Sequence, residues 1–291
     1  MKKINQNNSA VIKLSNNKTT QIWQTIHQQS NPKKSELNNP LYGDFNLGLH
    51  VQDKPQNVHQ NRINLLAIIQ AEYPHIQQIH WLNQVHGNRV VDIDNLNITT
   101  EIIAADAHIT TNKTLALAIM TADCVPIMVS DGTGETIAGI HAGWQGLAKG
   151  VIANTINTMR QKANRSPINF ANWQAWVGAC ITRKHYEVDE KVKTQVLAQL
   201  EKQLLAKNEQ LLSEWQKQQF FTAQPNKIGH YLADLSAIAQ FQLILCGLNN
   251  ENIHLSGLDS YADTRFYSYR RQTEQGLPFT GRMATLIFKG Q

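Results

Sequence analysis

The sequence predicts a mixed α and β fold in one domain, and three observations support this. Short β-branched or apolar runs recur along the chain, longer segments carry apolar residues at helical steps, and no Pro/Gly/Ser-rich linker divides the 291 residues. That length is enough to bury a substantial core. Hydrophobic residues at 42% and charged residues at 17% describe an ordinary globular composition rather than a disordered or fibrous one.

Residues 1–40 read as an N-terminal extension rich in Asn, Gln, Ser and Lys, with short strands expected over 10–14 and 21–23 and a loop over 31–40. Residues 41–291 form the main body of the same domain. Residues 45–51 read as a short strand or turn. Val58, Ile63, Leu65, Leu66 and Ile69 fall at near-helical steps and predict a helix over 55–70. A strand over 79–82 leads into a turn carrying His86, and a β-branched run over 90–93 follows.

Residues 115–120, 125–129 and 136–140 are strand-like, and Asp131-Gly132-Thr133-Gly134 between the last two is a strong turn signal. The reading is a hairpin. Cys124 and His141 lie at similar distances either side of Thr133, so antiparallel pairing returns both to the open end. Beyond His141, Leu147, Val151, Ile152, Ile156 and Met159 predict a helix whose N-terminus suits a phosphate or a developing oxyanion. Further on, strands are expected over 175–178, 253–255 and 284–288. One or two surface helices are expected over 187–219, and another helix over 231–246.

Charge and cysteine usage narrow the setting. A net charge of +5, from 27 Lys and Arg against 22 Asp and Glu, favours anionic partners without requiring nucleic acid. Basic residues cluster only in pairs (Lys2 with Lys3, Lys33 with Lys34, Arg270 with Arg271) and lack interleaved aromatics, so no nucleic-acid partner is expected. Three cysteines with no C-x-x-C fit a reducing, cytoplasmic location. The N-terminus lacks the apolar core of a signal peptide, and no apolar run reaches the roughly 18 residues of a membrane span.

Two histidines and a cysteine match the donor set of a catalytic zinc, which keeps a fourth position open. Taken alone, the spacing of His86, Cys124 and His141 matches no compact metal motif. Cys124 reads equally as a small buried hydrophobe, and the histidines as turn residues making backbone hydrogen bonds.

The segments NQVHGNRVV, TADCVPIMVSD, GIHAGWQGL, YEV at Tyr186, FYSYRR and TGRMA change that balance. Together they resemble the laccase-domain family, also called YfiH-like or multicopper polyphenol oxidase-like, from about Phe45 to the C-terminus. The resemblance implies an α+β fold with a mixed or antiparallel β-sandwich-like core and flanking helices. It implies zinc on His86, Cys124 and His141, with copper as the alternative metal. It also implies purine nucleoside phosphorolysis of adenosine, inosine and methylthioadenosine, with adenosine deamination. Copper-dependent phenol oxidation and editing of peptidoglycan precursors are the rival activities.

Within that resemblance, Asp123 is expected to join the three ligands in catalysis, by orienting a histidine or accepting a proton, although an acidic residue beside a turn also serves as a cap. Arg62, Arg270 and Arg271 are candidates for phosphate, Trp144 for stacking on a purine, and His50 for a supporting role. Met128, four residues after Cys124, is the feature that keeps copper in view. The chain departs from the family motifs at Gln145 (usually arginine), Ala179 (usually proline), Asp259-Ser260 (usually Cys-Thr) and the segment Thr25-Ile26-His27-Gln28-Gln29. These departures leave open a binding protein with a weakened site.

Overall fold

The computed structural model describes residues 10–16, 18–27, 41–96, 103–163, 170–205 and 219–290. The expected loop over 31–40, the lysine pairs at 2–3 and 33–34, and Gln28 and Gln29 lie outside them.

Two central strands, β6 (Leu115–Thr121) and β14 (Met283–Lys289), carry the plan of the molecule. Alternate strand residues face opposite ways. Ala116, Ala118, Ala284, Leu286 and Phe288 pack on one side, whereas Leu117, Ile119 and Ile287 pack on the other. A sheet apolar on both faces needs cover on both. Helix α1 (Pro55–Glu72) covers the outer face through Leu65 and Ile69. A second sheet covers the inner face, contributing Met128, Ile137 and Trp176.

The first sheet has the order β1-β2-β14-β6-β3, with β1 at Val11–Asn16, β2 at Thr20–Thr25 and β3 at Gln78–His80. The second runs β13-β9-β7-β8-β5-β4. Its strands are β4 (Val90–Asp92), β5 (Ala107–Thr110), β7 (Val125–Ser130), β8 (Ile137–Ala142), β9 (Gln174–Val177) and β13 (Ile253–Leu255). On its far side lie α3 (Val151–Ala163), α4 (Glu190–Leu204) and α5 (Leu235–Leu245). A small third sheet joins β10 (Glu187–Asp189), β12 (His230–Ala233) and β11 (Phe221–Ala223). The fold is therefore α+β, two packed sheets with helices outside them, as the family resemblance implies. Both sheets are mixed, because β3–β6, β4–β5 and β9–β13 run parallel.

Several expectations shift at this level. The helix expected over 231–246 begins only at Leu235, because Asp234 accepts from the Ala237 N–H as a cap and the preceding residues pair as β12. The start of the 187–219 stretch is likewise a strand, β10, ahead of α4; residues 206–218 lie outside the described chain. Residues 45–51 form no strand; Asn46 instead accepts from the Gly48 and Arg282 N–H groups and holds an irregular turn. The helix expected after His141 is two helices, α2 (Trp144–Ala148) and α3, separated at Gly150, whose φ of +75° breaks the helical path. Strand β5 has no separate signature in the sequence. It is only four residues long and all of them are buried, so it shows no alternation.

Gln24 on β2 joins the sheets where they open toward the site. Its Oε1 accepts from the Ala179 N–H at 3.1 Å and the Thr285 hydroxyl at 2.7 Å, and its Nε2 donates to the Thr25 and Ala284 carbonyls. All this is buried, so removing the amide strands two donors away from water. Gln24→Leu is expected to lower unfolding stability by about 2–4 kcal/mol, measured by urea denaturation, despite its similar volume.

Candidate metal centre

The centre forms where the chain crosses between the sheets. Strand β3 ends in the first sheet and β4 begins in the second, and the loop joining them carries His86. The β7–β8 hairpin brings in the other two donors. Pro126 pairs with His141 and Val125 with Ala142, which puts Cys124 at the same open end. The donor atoms of His86, Cys124 and His141 all lie within 4.8 Å of one another, and the Cys124 Sγ is 3.7 Å from the His86 Nε2.

Asp106, just before β5, holds these parts together. It accepts from the N–H groups of His86 at 2.9 Å and Gly87 at 2.6 Å, and its Oδ1 lies 2.8 Å from the His141 Nδ1. This carboxylate is fully buried. By engaging Nδ1 it fixes the His141 ring and leaves Nε2 as the ring's remaining donor. Burial alone would raise the Asp106 pKa, but the His141 imidazole and the Gly87 and His86 N–H groups hold it below the ordinary carboxylate value.

Two of the donors, Cys124 and His141, are tuned against each other. Burial would push the Cys124 thiol up, yet the neighbouring His141 and His86 imidazoles bring it down to about 6. Burial would lower His141, yet the charge of Cys124 and the Asp106 carboxylate lift it to about 9. Two imidazole nitrogens and one thiolate suit zinc. Gly143 adds a steric condition, since a Cβ there would stand 2.9 Å from the Cys124 Sγ and 3.1 Å from the His86 Cδ2.

The three donors open onto a cleft of about 480 Å³. Met120, Ala122 and Leu235 give it apolar wall, Trp144, Tyr186 and Tyr269 aromatic wall, and Arg270 and Arg282 positive charge. His50, Gln84 and Gln145 also line it. Gln84 is fixed against β6, its amide bonded to both the N–H and the carbonyl of Met120.

The remaining candidates divide. His50, Trp144 and Arg270 reach the cleft, although Arg270 spends two guanidinium nitrogens on the His185 and Glu187 carbonyls. Arg62 and Arg271 are not among its lining residues. Arg62 donates to the Leu47 carbonyl and lies over the Trp81 ring, and Arg271 clamps the carbonyls of Ser260, Tyr261 and Phe266. Asp123 lines the cleft, but its carboxylate accepts from the Ser260 hydroxyl at 2.7 Å and the Arg270 N–H at 2.6 Å, so it orients no histidine. It caps the first turn of α6 (Tyr269–Glu274) from another part of the chain. Met128 packs between the sheets with Leu117, Ile119 and Trp176 and is not among the residues lining the cleft. The expected helix N-terminus belongs to α2, which at five residues carries little dipole.

Two residues missed by sequence reasoning complete the picture. Asp106 sits in the short AADAHIT segment with no motif to mark it. Arg282 lies within TGRMA; its Nη1 donates to the Thr280 and Gly281 carbonyls, and among the described residues its other guanidinium nitrogens have no partner. The altered motif positions are structurally satisfied. Asp259 accepts from Thr182, His185, Tyr261 and Ala262, and the buried Ala179 donates to Gln24.

Residues 30–289 match the family described as multi-copper polyphenol oxidoreductase laccase. The chain belongs to that family. Among laccase-like relatives, a purine nucleoside phosphorylase of Pseudomonas aeruginosa is 30% identical over 248 residues, 85% of this chain and 86% of the relative. Purine nucleoside phosphorylase YfiH of Escherichia coli is 32% identical over 253 residues, 86% of this chain and 88% of the relative. The crystal structure of a Neisseria meningitidis protein of the DUF152 family superposes with a TM-score of 0.74 at 26% identity, covering 97% of this chain and 100% of that one. YlmD from Geobacillus stearothermophilus shares the fold at a TM-score of 0.77 and 21% identity, over 99% and 98% of the two chains. The family is metal-associated, and the His-Cys-His cluster is the group found among the described residues that could hold a metal ion.

Two measurements test this arrangement. Asp106→Asn is expected to weaken zinc binding about 10- to 100-fold in a chelator competition, since Asn keeps the shape but loses the charge that fixes His141. In metal-stripped protein, iodoacetamide labelling of Cys124 is expected to rise with pH through a midpoint near 6, where the thiolate forms. Cys180, whose pKa burial raises, stays inert over the same range.

Proposed function

We propose that the chain is a zinc-dependent purine nucleoside phosphorylase acting on adenosine, inosine and methylthioadenosine, with adenosine deaminase activity at the same site. The observation that carries this reading is the meeting of three clustered metal donors with a cleft lined by aromatic rings and arginines. A volume of about 480 Å³ falls in the range of small-molecule sites. The names of the Pseudomonas and Escherichia relatives support the same reaction.

His86, Cys124 and His141 would hold the zinc, which when bound supplies Lewis acidity at the cleft floor. Trp144, Tyr186 and Tyr269 offer ring faces and edges for a purine. Arg282, half-buried and with donors to spare, takes over the phosphate-binding role expected of Arg62 and Arg271, and Arg270 adds charge nearby. In phosphorolysis a phosphate oxygen bonds to the anomeric carbon as the C–N bond breaks, and the purine leaves with the bonding pair. The enzyme's task is to hold the two reactants in line and exclude water. A reducing, cytoplasmic setting fits, since Cys124, Cys180 and Cys246 form no disulfide with one another.

Copper-dependent phenol oxidation is less well supported. Multicopper relays need several His-rich sites, whereas one three-donor cluster is found among the described residues and Met128 is neither in it nor in the cleft lining. Purified zinc-loaded protein incubated with adenosine and phosphate is expected to release adenine, with inosine as the deamination product, and Cys124→Ala to lose both. The reading fails if neither product exceeds the Cys124→Ala control; copper-stimulated phenol oxidation without nucleoside turnover would replace it with the oxidase.

A further inference from the structure

His86 occupies a demanding backbone position. Its φ is 56°, in the left-handed region that disfavours residues bearing a Cβ. Relaxation to negative φ would swing the Cα–Cβ bond and carry the imidazole away from Cys124. Asp106 holds the N–H side of this turn.

The carbonyl side is held by Lys149. Its Nζ donates to the His86 carbonyl at 2.8 Å, a charge-assisted bond, and lies 3.4 Å from the Gln145 Oε1. The Lys149 backbone is tied to the same loop, because its carbonyl accepts from the Asn88 Nδ2 at 2.8 Å. Asn88 is in turn anchored to α3, where the Asn154 Nδ2 donates to the Asn88 carbonyl at 3.0 Å. Close packing leaves this clamp little play, since a Cβ on Gly146 would lie 3.3 Å from the His141 carbonyl and 3.4 Å from that of Gly87. Among the described residues Lys149 makes no ion pair, and the pocket it lines with Gln195, Gln199 and Lys202 has no carboxylate wall. Its charge is therefore directed at the loop.

We propose that Lys149 is a positioning residue for the metal centre, its ammonium locking the left-handed turn that aims His86 at Cys124. The proposal rests on the reading of His86, Cys124 and His141 as a zinc site, and not on which reaction the site performs. The alternative role for a cation at this point is ordinary. Lys149 closes α2, where a positive charge complements the last carbonyls. That role predicts an effect on stability and none on the metal.

The test uses the full chain, stripped of zinc and titrated with zinc against a chromophoric chelator, and loaded with cobalt(II) for its visible spectrum. Lys149→Met is expected to weaken zinc binding about tenfold and to shift the cobalt band. Lys149→Arg, which can still donate to the carbonyl, should stay near wild type. Asn88→Ala should fall between them. The inference is overturned if Lys149→Met keeps wild-type zinc affinity and cobalt spectrum. It is also overturned if Met and Arg variants lose affinity equally, in step with a lower melting temperature of the zinc-free protein. A wild-type chain that takes up no zinc removes the centre and this inference together, whereas one that binds zinc but leaves nucleosides untouched removes only the proposed reaction.

Discussion

The Asp106 carboxylate is the joint on which the centre depends. It is buried between the sheets and receives the backbone of the β3–β4 crossing on one side and the ring of His141 on the other. These segments are far apart in sequence and belong to different structural units. Without this shared acceptor, the His86 and Gly87 N–H groups and the His141 ring would lose their partner, and the ligand rings a common reference. The packed sheets, the hairpin and α1 keep that one carboxylate in place. Without metal, the Cys124 charge and the Asp106 carboxylate favour protonation of His141, and His141 in turn favours the Cys124 thiolate.

The legibility of this molecule from its sequence depended on how local each feature was. The hairpin that joins Cys124 to His141 was readable because its turn, its strands and both donors fall within one short stretch. The apolar runs of β6, β7 and β14 were readable as strands because both faces of each sheet are covered. His86 was not placed by spacing, because it arrives through a crossing between sheets, and only the family resemblance linked it to the other two. Asp106 was missed for the same reason. Its partners are backbone N–H groups and one ring nitrogen, and no pattern of residue types announces that. Arg62 and Arg271 show the converse error, since an arginine looks equally available in sequence whether it faces a cleft or braces a carbonyl.

Departures from the family motifs have structural consequences that can be followed individually. Where the family carries an arginine, Gln145 accepts from Lys149 one helical turn later, so positive charge is retained beside the His86 loop. Asp259 replaces a cysteine and gathers four donors, two from side chains and two from the backbone, fixing the loop that delivers Ser260 to Asp123. Each change is absorbed by hydrogen bonds around the cleft and leaves the three donors in place.

Gly143 has φ −70° and ψ 169°, a conformation open to any residue, so its lack of a side chain is not a matter of backbone freedom. What it supplies is room: the nearest volume a methyl group would take is the corner shared by the Cys124 sulfur and the His86 ring. A carbon there would therefore crowd the two donor side chains directly. In that sense the glycine is a fourth participant in the centre, contributing no atom, and it sets an upper limit on how far helix α2 can be redesigned before the donors are forced apart.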